Sequence, residues 1–145
     1  MTKLQGALIE YKFERVGDLR IHESGEYPAF EIVDPVIKKH GHVYMWVLEQ
    51  NRIPNKILYI GRAGKTLKDR CAQHFGGFKG GSKSGERNAK EIVDKLKVKG
   101  ASIGVYSRHS RQITIFQKKI SLSHAEEAAL IQKYKDEPGL LNVAK

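Results

Sequence analysis

Apolar residues recur at every second position through several short stretches of the chain and at helical spacing through others. Ile9, Tyr11 and Phe13 alternate with Glu10, Lys12 and Glu14, a period of two that predicts a half-buried strand. Phe30 to Val33 is a second short apolar run, and Pro28 and Pro35 on its flanks confine it to a sheet edge or a strand start. Glu23-Ser24-Gly25-Glu26 reads as the turn between them. Val43 to Leu48 and Ile57 to Ile60 predict two more strands, joined as an antiparallel hairpin by a long polar loop from Glu49 to Lys56. After Gly61 and Gly64, Thr66 caps a helix with Asp69 three residues on. Ala89, Ile92, Val93 and Leu96 form a helical stripe closed by Gly100. Ile103, Val105, Ile113, Ile115, Ile120 and Leu122 return to strand alternation. Ser123 and Glu126 then make the capping box of a last helix, with Glu127, Leu130, Ile131 and Tyr134 on one stripe. There is no internal repeat and no domain-scale linker.

A length of 145 residues suits one domain with a core of its own. The single cysteine, Cys71, excludes an internal disulfide framework and a multi-cysteine zinc site, and it fits a reducing cytoplasm. Neither a secretory leader nor a run near the roughly 20 apolar residues of a membrane span occurs, so a cytoplasmic protein with no membrane partner is expected. Net charge is +10 and unevenly spread: zero over residues 1–61, +11 over 62–124 and −1 over 125–145. A basic middle segment is what a polyphosphate partner requires, because each neutralised phosphate releases counterions. A solvated basic surface is the plainer reading.

The chemistry-bearing residues gather around that segment. Tyr44 and Tyr59 lie in the two hairpin strands, and Arg70 and His74, four apart, share one face of the helix that follows. Cys71, inside that helix, reads as a core residue rather than a nucleophile. His74 reads as a site residue or as a surface histidine capping a carbonyl. The other histidines show no ligand spacing, so no zinc site is expected. Glu127 sits on an inward stripe, where a carboxylate needs a partner. A metal ion or an arginine would serve, and so would a boundary salt bridge. Five of the 14 glycines fall between Gly76 and Gly85, together with Lys79, Lys83 and Phe78. This segment reads either as a loop wrapping a nucleic-acid backbone, with Phe78 stacking on a base, or as a mobile connector. Arg108, His109 and Arg111 fill a turn that either meets phosphates or is solvated.

Val43-Tyr44, Tyr59-Ile60-Gly61, Leu67-x-x-Arg70-x-x-x-His74, Glu127-x-x-Leu130-Ile131 and Leu141-Asn142, in that order, resemble the motifs of the GIY-YIG nuclease superfamily over residues 42–142. His42 stands where the first motif has its glycine, with Gly41 adjacent, and the two tyrosines are 15 apart. The resemblance implies an α/β (α+β) fold with a small central antiparallel sheet of three strands flanked by helices. A β-rich extension would cover 1–40 and the nuclease-like domain 41–145. It implies a DNA endonuclease that hydrolyses a phosphodiester with one Mg²⁺ or Mn²⁺ per site, with RNA the alternative substrate. Glu127 would hold the metal, Arg70 clamp the scissile phosphate, Tyr44 act as general base with Tyr59 as its partner, and His74 join the site. Gly61 and Asn142 would support it, while Arg62, Lys65, Lys79, Lys83, Arg108 and Arg111 would meet the DNA backbone. A phenol with a free pKa near 10 needs a cationic field to act as a base at neutral pH, which Arg62, Lys65, Arg70 or His74 would supply. A stand-alone enzyme of this size suits a restriction enzyme or one encoded by a phage or mobile element, working as a homodimer if both strands are cut. The contrasting reading is a noncatalytic nucleic-acid-binding module that keeps the fold.

Overall fold

The computed structural model describes residues 1–32 and 40–142. The chain runs α1 (Lys3–Glu10), β1 (Glu14–Ile21), β2 (Pro28–Ile32), β3 (His40–Gln50), β4 (Ile53–Thr66), α2 (Leu67–Gly76), α3 (Lys83–Leu96), β5 (Ala101–His109), β6 (Gln112–Ile115), β7 (Lys118–Ser121) and α4 (Ser123–Tyr134). Five strands form one antiparallel sheet in the order β2-β1-β5-β3-β4, and β6 and β7 pair apart from it. The α+β class and the antiparallel core β5-β3-β4 match the sequence expectation. The sheet is wider than three strands because β1 hydrogen-bonds to β5, bringing β2 with it. Val33 and Pro35, at the end of the second apolar run, lie outside the described residues.

Strand β3 is the middle of the molecule, buried on both faces, and therefore carries an almost unbroken apolar run. Tyr44 and Trp46 point to one side, where Val16, Leu19, Leu58, Leu67, Phe78, Ile92, Ile103 and Val105 make a core with α2 and α3. Val43, Met45 and Val47 point to the other, packing with Leu8, Phe13, Ile57, Ile60, Tyr106 and Leu140 against α1 and α4. Among the described residues no helix is long and apolar enough to cross a membrane.

Five local expectations are corrected. The predicted strand at Ile9 to Phe13 is the end of α1: Thr2 and Gln5 form a capping box, Leu4, Leu8 and Tyr11 make the helical stripe, and Ile9 is 67 % exposed. The long loop from Glu49 to Lys56 is a two-residue turn, Asn51-Arg52, with φ of +51° and +68°, the paired left-handed geometry whose twist matches a hairpin. Register shifts within β3 and β4 then admit Pro54 opposite Glu49 on the sheet's edge strand. The glycine-rich segment is ordered: Gly77–Gly81 is one wide turn, broken at Gly80 (φ +114°), and Ser82 caps α3 through the Gly85 N–H. Phe78 is buried against Phe30 and Trp46, so its ring is unavailable to a base. Gly100 lies beyond the end of α3, which stops at Leu96.

The fifth correction concerns the start of α4. Leu122 occupies the cap position without a side-chain bond, and the Glu126 carboxylate accepts instead from Arg108 Nη2 at 3.1 Å and the Arg111 N–H at 3.4 Å. Arg108 also donates to the Tyr11 carbonyl at 3.1 Å, so this guanidinium ties β5 to α1 and α4 and is not held out to a phosphate.

Candidate active site

The site forms where edge strand β4 meets α2 from one face of the sheet and α4 from the other. Tyr44 pairs with Gly61, and Trp46 with Tyr59, across the β3–β4 ladder, which sets all three rings on one face. Trp46 stacks on Tyr59 at 4.3 Å between centroids, and Tyr44 lies 6.2 Å from Tyr59. A side chain at Gly61 would overlap the Tyr44 ring and hydroxyl and lie 2.9 Å from Tyr59 Cε1. The glycine is therefore the space into which the Tyr44 phenol is laid.

Helix α2 starts at the Thr66 cap and presents Arg70 and His74 to that phenol. Tyr44 Oη lies 2.6 Å from His74 Nε2 and accepts from Arg70 Nε at 3.2 Å. Arg70 Nη1 donates to Gln73 Oε1 at 2.8 Å, so Gln73, three residues along the same helix, helps to fix the guanidinium. Sequence reasoning missed Gln73, although its spacing from Arg70 was there to be read. His74 is walled by Trp46 (4.7 Å) and Tyr59 (5.2 Å), both edge-on.

The electrostatics run against a standing phenolate. Burial raises the Tyr44 pKa above the ordinary phenol value, and Arg70 only partly offsets it. Burial also raises Tyr59, against a downward pull from Arg70. His74 is pushed down to about 3, first by burial and then by the Arg70 charge. A neutral phenol thus faces a neutral imidazole, and in the tautomer with its proton on Nδ1 the imidazole accepts the Tyr44 hydroxyl proton while Arg70 donates to the same oxygen. The expectation that surrounding cations lower the Tyr44 pKa is reversed: dehydration of the site exceeds the cationic field. Burial pushes the Cys71 thiol up to about 12, as suits a core residue.

A cleft of about 510 Å³ opens beside this cluster, lined by Arg62, Lys65, Asp69, Arg70, Gln73, His124 and Glu127. A smaller one of about 250 Å³ lies on the other side of Arg70 and Gln73 and reaches Tyr59 and His74. Tyr44 lines neither; it is 1 % exposed, beneath Arg70. Glu127 is partly exposed and makes a long contact, 3.9 Å, with Arg62 Nε. Among the described residues no group of three or more acidic, histidine or cysteine side chains could hold a metal. Glu127 in an open cleft, with Asp69 also on its lining, fits Mg²⁺, which keeps most of its water and takes other ligands from phosphate. Asn142 bonds both backbone groups of Ile60 through its amide, and the Leu141 N–H donates to Leu58 O at 2.7 Å, so the C-terminal segment covers part of the β4 edge. Of the expected backbone contacts, Lys65 lines the cleft, Lys79 lies 5.0 Å over the Phe75 ring, and Lys83 and Arg111 are exposed.

The chain is similar to two solved structures. A mutant of bacteriophage T4 EndoII matches with a TM-score of 0.67 at 18% identity, covering 99% of this chain and 100% of that one. Restriction endonuclease HPY188I, in complex with product DNA, matches with a TM-score of 0.52 at 22% identity, covering 95% of this chain and 84% of that one. No family model and no curated protein sequence matches the chain. At these identities the likeness shows a shared fold.

Proposed function

We propose that the protein is a divalent-metal-dependent DNA endonuclease of the GIY-YIG type. The observation that carries this reading is the Tyr44 hydroxyl bonded to His74 Nε2 at 2.6 Å and Arg70 Nε at 3.2 Å, beside a cleft that presents Glu127. The fold likeness to a phage nuclease and to a restriction enzyme held with product DNA supports the substrate class.

Hydrolysis requires a proton acceptor at the attacking water and positive charge on the phosphate. Arg70 binds a nonbridging oxygen, and a phosphate engaging its planar fork draws it off the Tyr44 hydroxyl, which opens the phenol to water. As the water oxygen bonds to phosphorus and the bond to the 3′ oxygen breaks, the water proton passes to Tyr44 and the Tyr44 proton to His74 Nε2. This relay removes the need for a free phenolate. Tyr59 orients the water from the neighbouring cleft, and Arg62 and Lys65 hold the adjacent backbone. Glu127 would hold the Mg²⁺ or Mn²⁺ ion, which supplies charge to the phosphate and the leaving oxygen.

The test is incubation of supercoiled plasmid and a long phage genome with Mg²⁺ or EDTA, using the unsubstituted chain, Tyr44→Phe, Arg70→Ala and Glu127→Ala. Metal-dependent cleavage is expected, reduced about 10²- to 10⁴-fold by Tyr44→Phe and about 10²- to 10³-fold by Arg70→Ala. It should be lost in Glu127→Ala. DNA binding without cleavage under every divalent metal would leave a noncatalytic binding module instead, and cleavage of RNA alone would change the substrate.

A further inference from the structure

We propose that the β6–β7 hairpin is a DNA wedge, inserting Phe116 between stacked bases a few steps from the bond that is cut; this rests on the nuclease reading above. Every residue from Arg111 to Ile120 is exposed. Four of them are large and apolar: Ile113 (41 %), Ile115 (46 %), Ile120 (44 %) and Phe116, at the tip, 94 %. Ile113 pairs with Ile120, and Ile115 with Lys118, so the three isoleucines share one face of the ribbon. An isolated two-stranded ribbon with an open apolar face is marginal in water, which indicates that something covers it.

The tip is as unusual as the face. Phe116 and Gln117 stand at φ of +48° and +63°, a left-handed pair where a hairpin ordinarily has asparagine and glycine. A bulky residue is held in that region with its ring 94 % exposed to solvent.

Charge selects the occupant. Lys118 and Lys119 follow the tip, Arg111 stands at the base, and no Asp or Glu occurs from Ser107 through Ala125. Two such hairpins meeting across a twofold axis would bring like charges together, whereas a nucleic-acid duplex offers phosphates to the lysines and stacked bases to the ring. An apolar wedge rimmed by cations is the arrangement that enters a groove, unstacks a base step and bends the duplex.

The hairpin is also rooted at the site. At its base the Leu122 N–H donates to Arg111 O at 2.8 Å, the Ser110 N–H donates to Gly41 O at 2.8 Å, and Glu126, next to Glu127, holds Arg108. Strands of four residues reach about 13 Å, roughly four base steps along a duplex. A wedge at that distance would set the local bend that presents the scissile phosphate to Arg70.

Phe116→Trp in the full chain tests this directly, because Trp46 is fully buried and its emission can be subtracted using the unsubstituted protein. Mixed-sequence duplex DNA is titrated in EDTA at low salt, with binding followed by mobility shift. At least twofold quenching of the tip indole and its protection from iodide are expected, together with at least tenfold slower plasmid cleavage by Phe116→Ala in Mg²⁺. DNA that binds while the indole stays bright and accessible removes the wedge. Protection without DNA, with a dimer that Phe116→Ala dissolves in sedimentation, also removes it and assigns the face to a second copy. Quenching without plasmid cleavage by the unsubstituted chain keeps the wedge and removes the nuclease reading; absence of DNA binding removes both.

Discussion

The Tyr44 hydroxyl has His74 on one side and Arg70 on the other, and the consequence at residue scale is a pH signature. In the folded chain His74 is pushed down to about 3 by burial and by Arg70, whereas an unfolded histidine titrates near 6.5. Between those values the unfolded chain binds a proton that the folded chain does not, so this residue costs the folded state stability as pH falls from about 7 toward 3. Above pH 7 both forms are neutral and the effect vanishes. A His74→Gln variant should therefore close its stability gap to the unsubstituted chain on acidification, by at most about 1.4 kcal/mol per pH unit below 6.5. Urea midpoints of the two proteins measured from pH 7.5 to 4.5 check this, and a gap that widens toward acid would mean that His74 is protonated in the fold. Cleavage should likewise show no inflection near 6.5 from this residue, because the acceptor nitrogen is already free there.

Among the elements, β4 decides whether the site exists, since it carries Tyr59 and Gly61, feeds α2, and stands at the sheet edge. Asn142 closes that edge by bonding both the N–H and the carbonyl of Ile60. Asn142→Ala removes both bonds and should destabilise the fold by about 1–3 kcal/mol, at about 1 kcal/mol for each amide bond and more where a group stays unsatisfied. Thermal unfolding measures the loss, and hydrogen exchange should show it concentrated at Ile60 and its neighbours rather than in β1. The motif pairs that lie close in sequence were legible: the runs Val43 to Leu48 and Ile57 to Ile60, the Thr66 cap, and the stripes of α3 and α4 are all read from local periodicity. What escaped were competing signals and long-range pairing. The alternation at Ile9 to Phe13 straddled a helix end whose own stripe, Leu4, Leu8 and Tyr11, was equally present. Asn51-Arg52 lacked the glycine that usually marks a tight hairpin. The β1–β5 ladder and the Arg108–Glu126 pair join segments that no local period connects. Phe78 followed the same logic, since glycines around it suggested a loop while its ring had a core position beside Trp46.

For the whole molecule the decisive quantity is where the charge excess lies. Residues 62–124 carry +11, and they include the end of β4 and α2, which line the cleft holding Arg62, Lys65 and Arg70, as well as α3 and the β6–β7 hairpin. A larger hollow, about 650 Å³, is elsewhere, between α1, β4 and the end of α4; there Lys3, Lys56 and Lys133 are interleaved with Glu10 and Glu137, and Lys133 lies over the rings of Tyr11 and Tyr134. The two faces should therefore respond differently to salt. Each cation that neutralises a phosphate on a duplex contributes about 0.9 to the slope of log affinity against log salt. Arg62→Ala with Lys65→Ala should lower that slope by roughly 1.8, while Lys3→Ala with Lys133→Ala, which removes the same formal charge from the far hollow, should leave it nearly unchanged. Fluorescence anisotropy with one duplex over 50–200 mM KCl in EDTA separates the cases without any dependence on catalysis. Equal losses from both pairs would mean that DNA senses only the net charge of the protein. A loss confined to the first pair would assign the backbone track to the cleft that Arg62 and Lys65 share with Arg70 and Glu127.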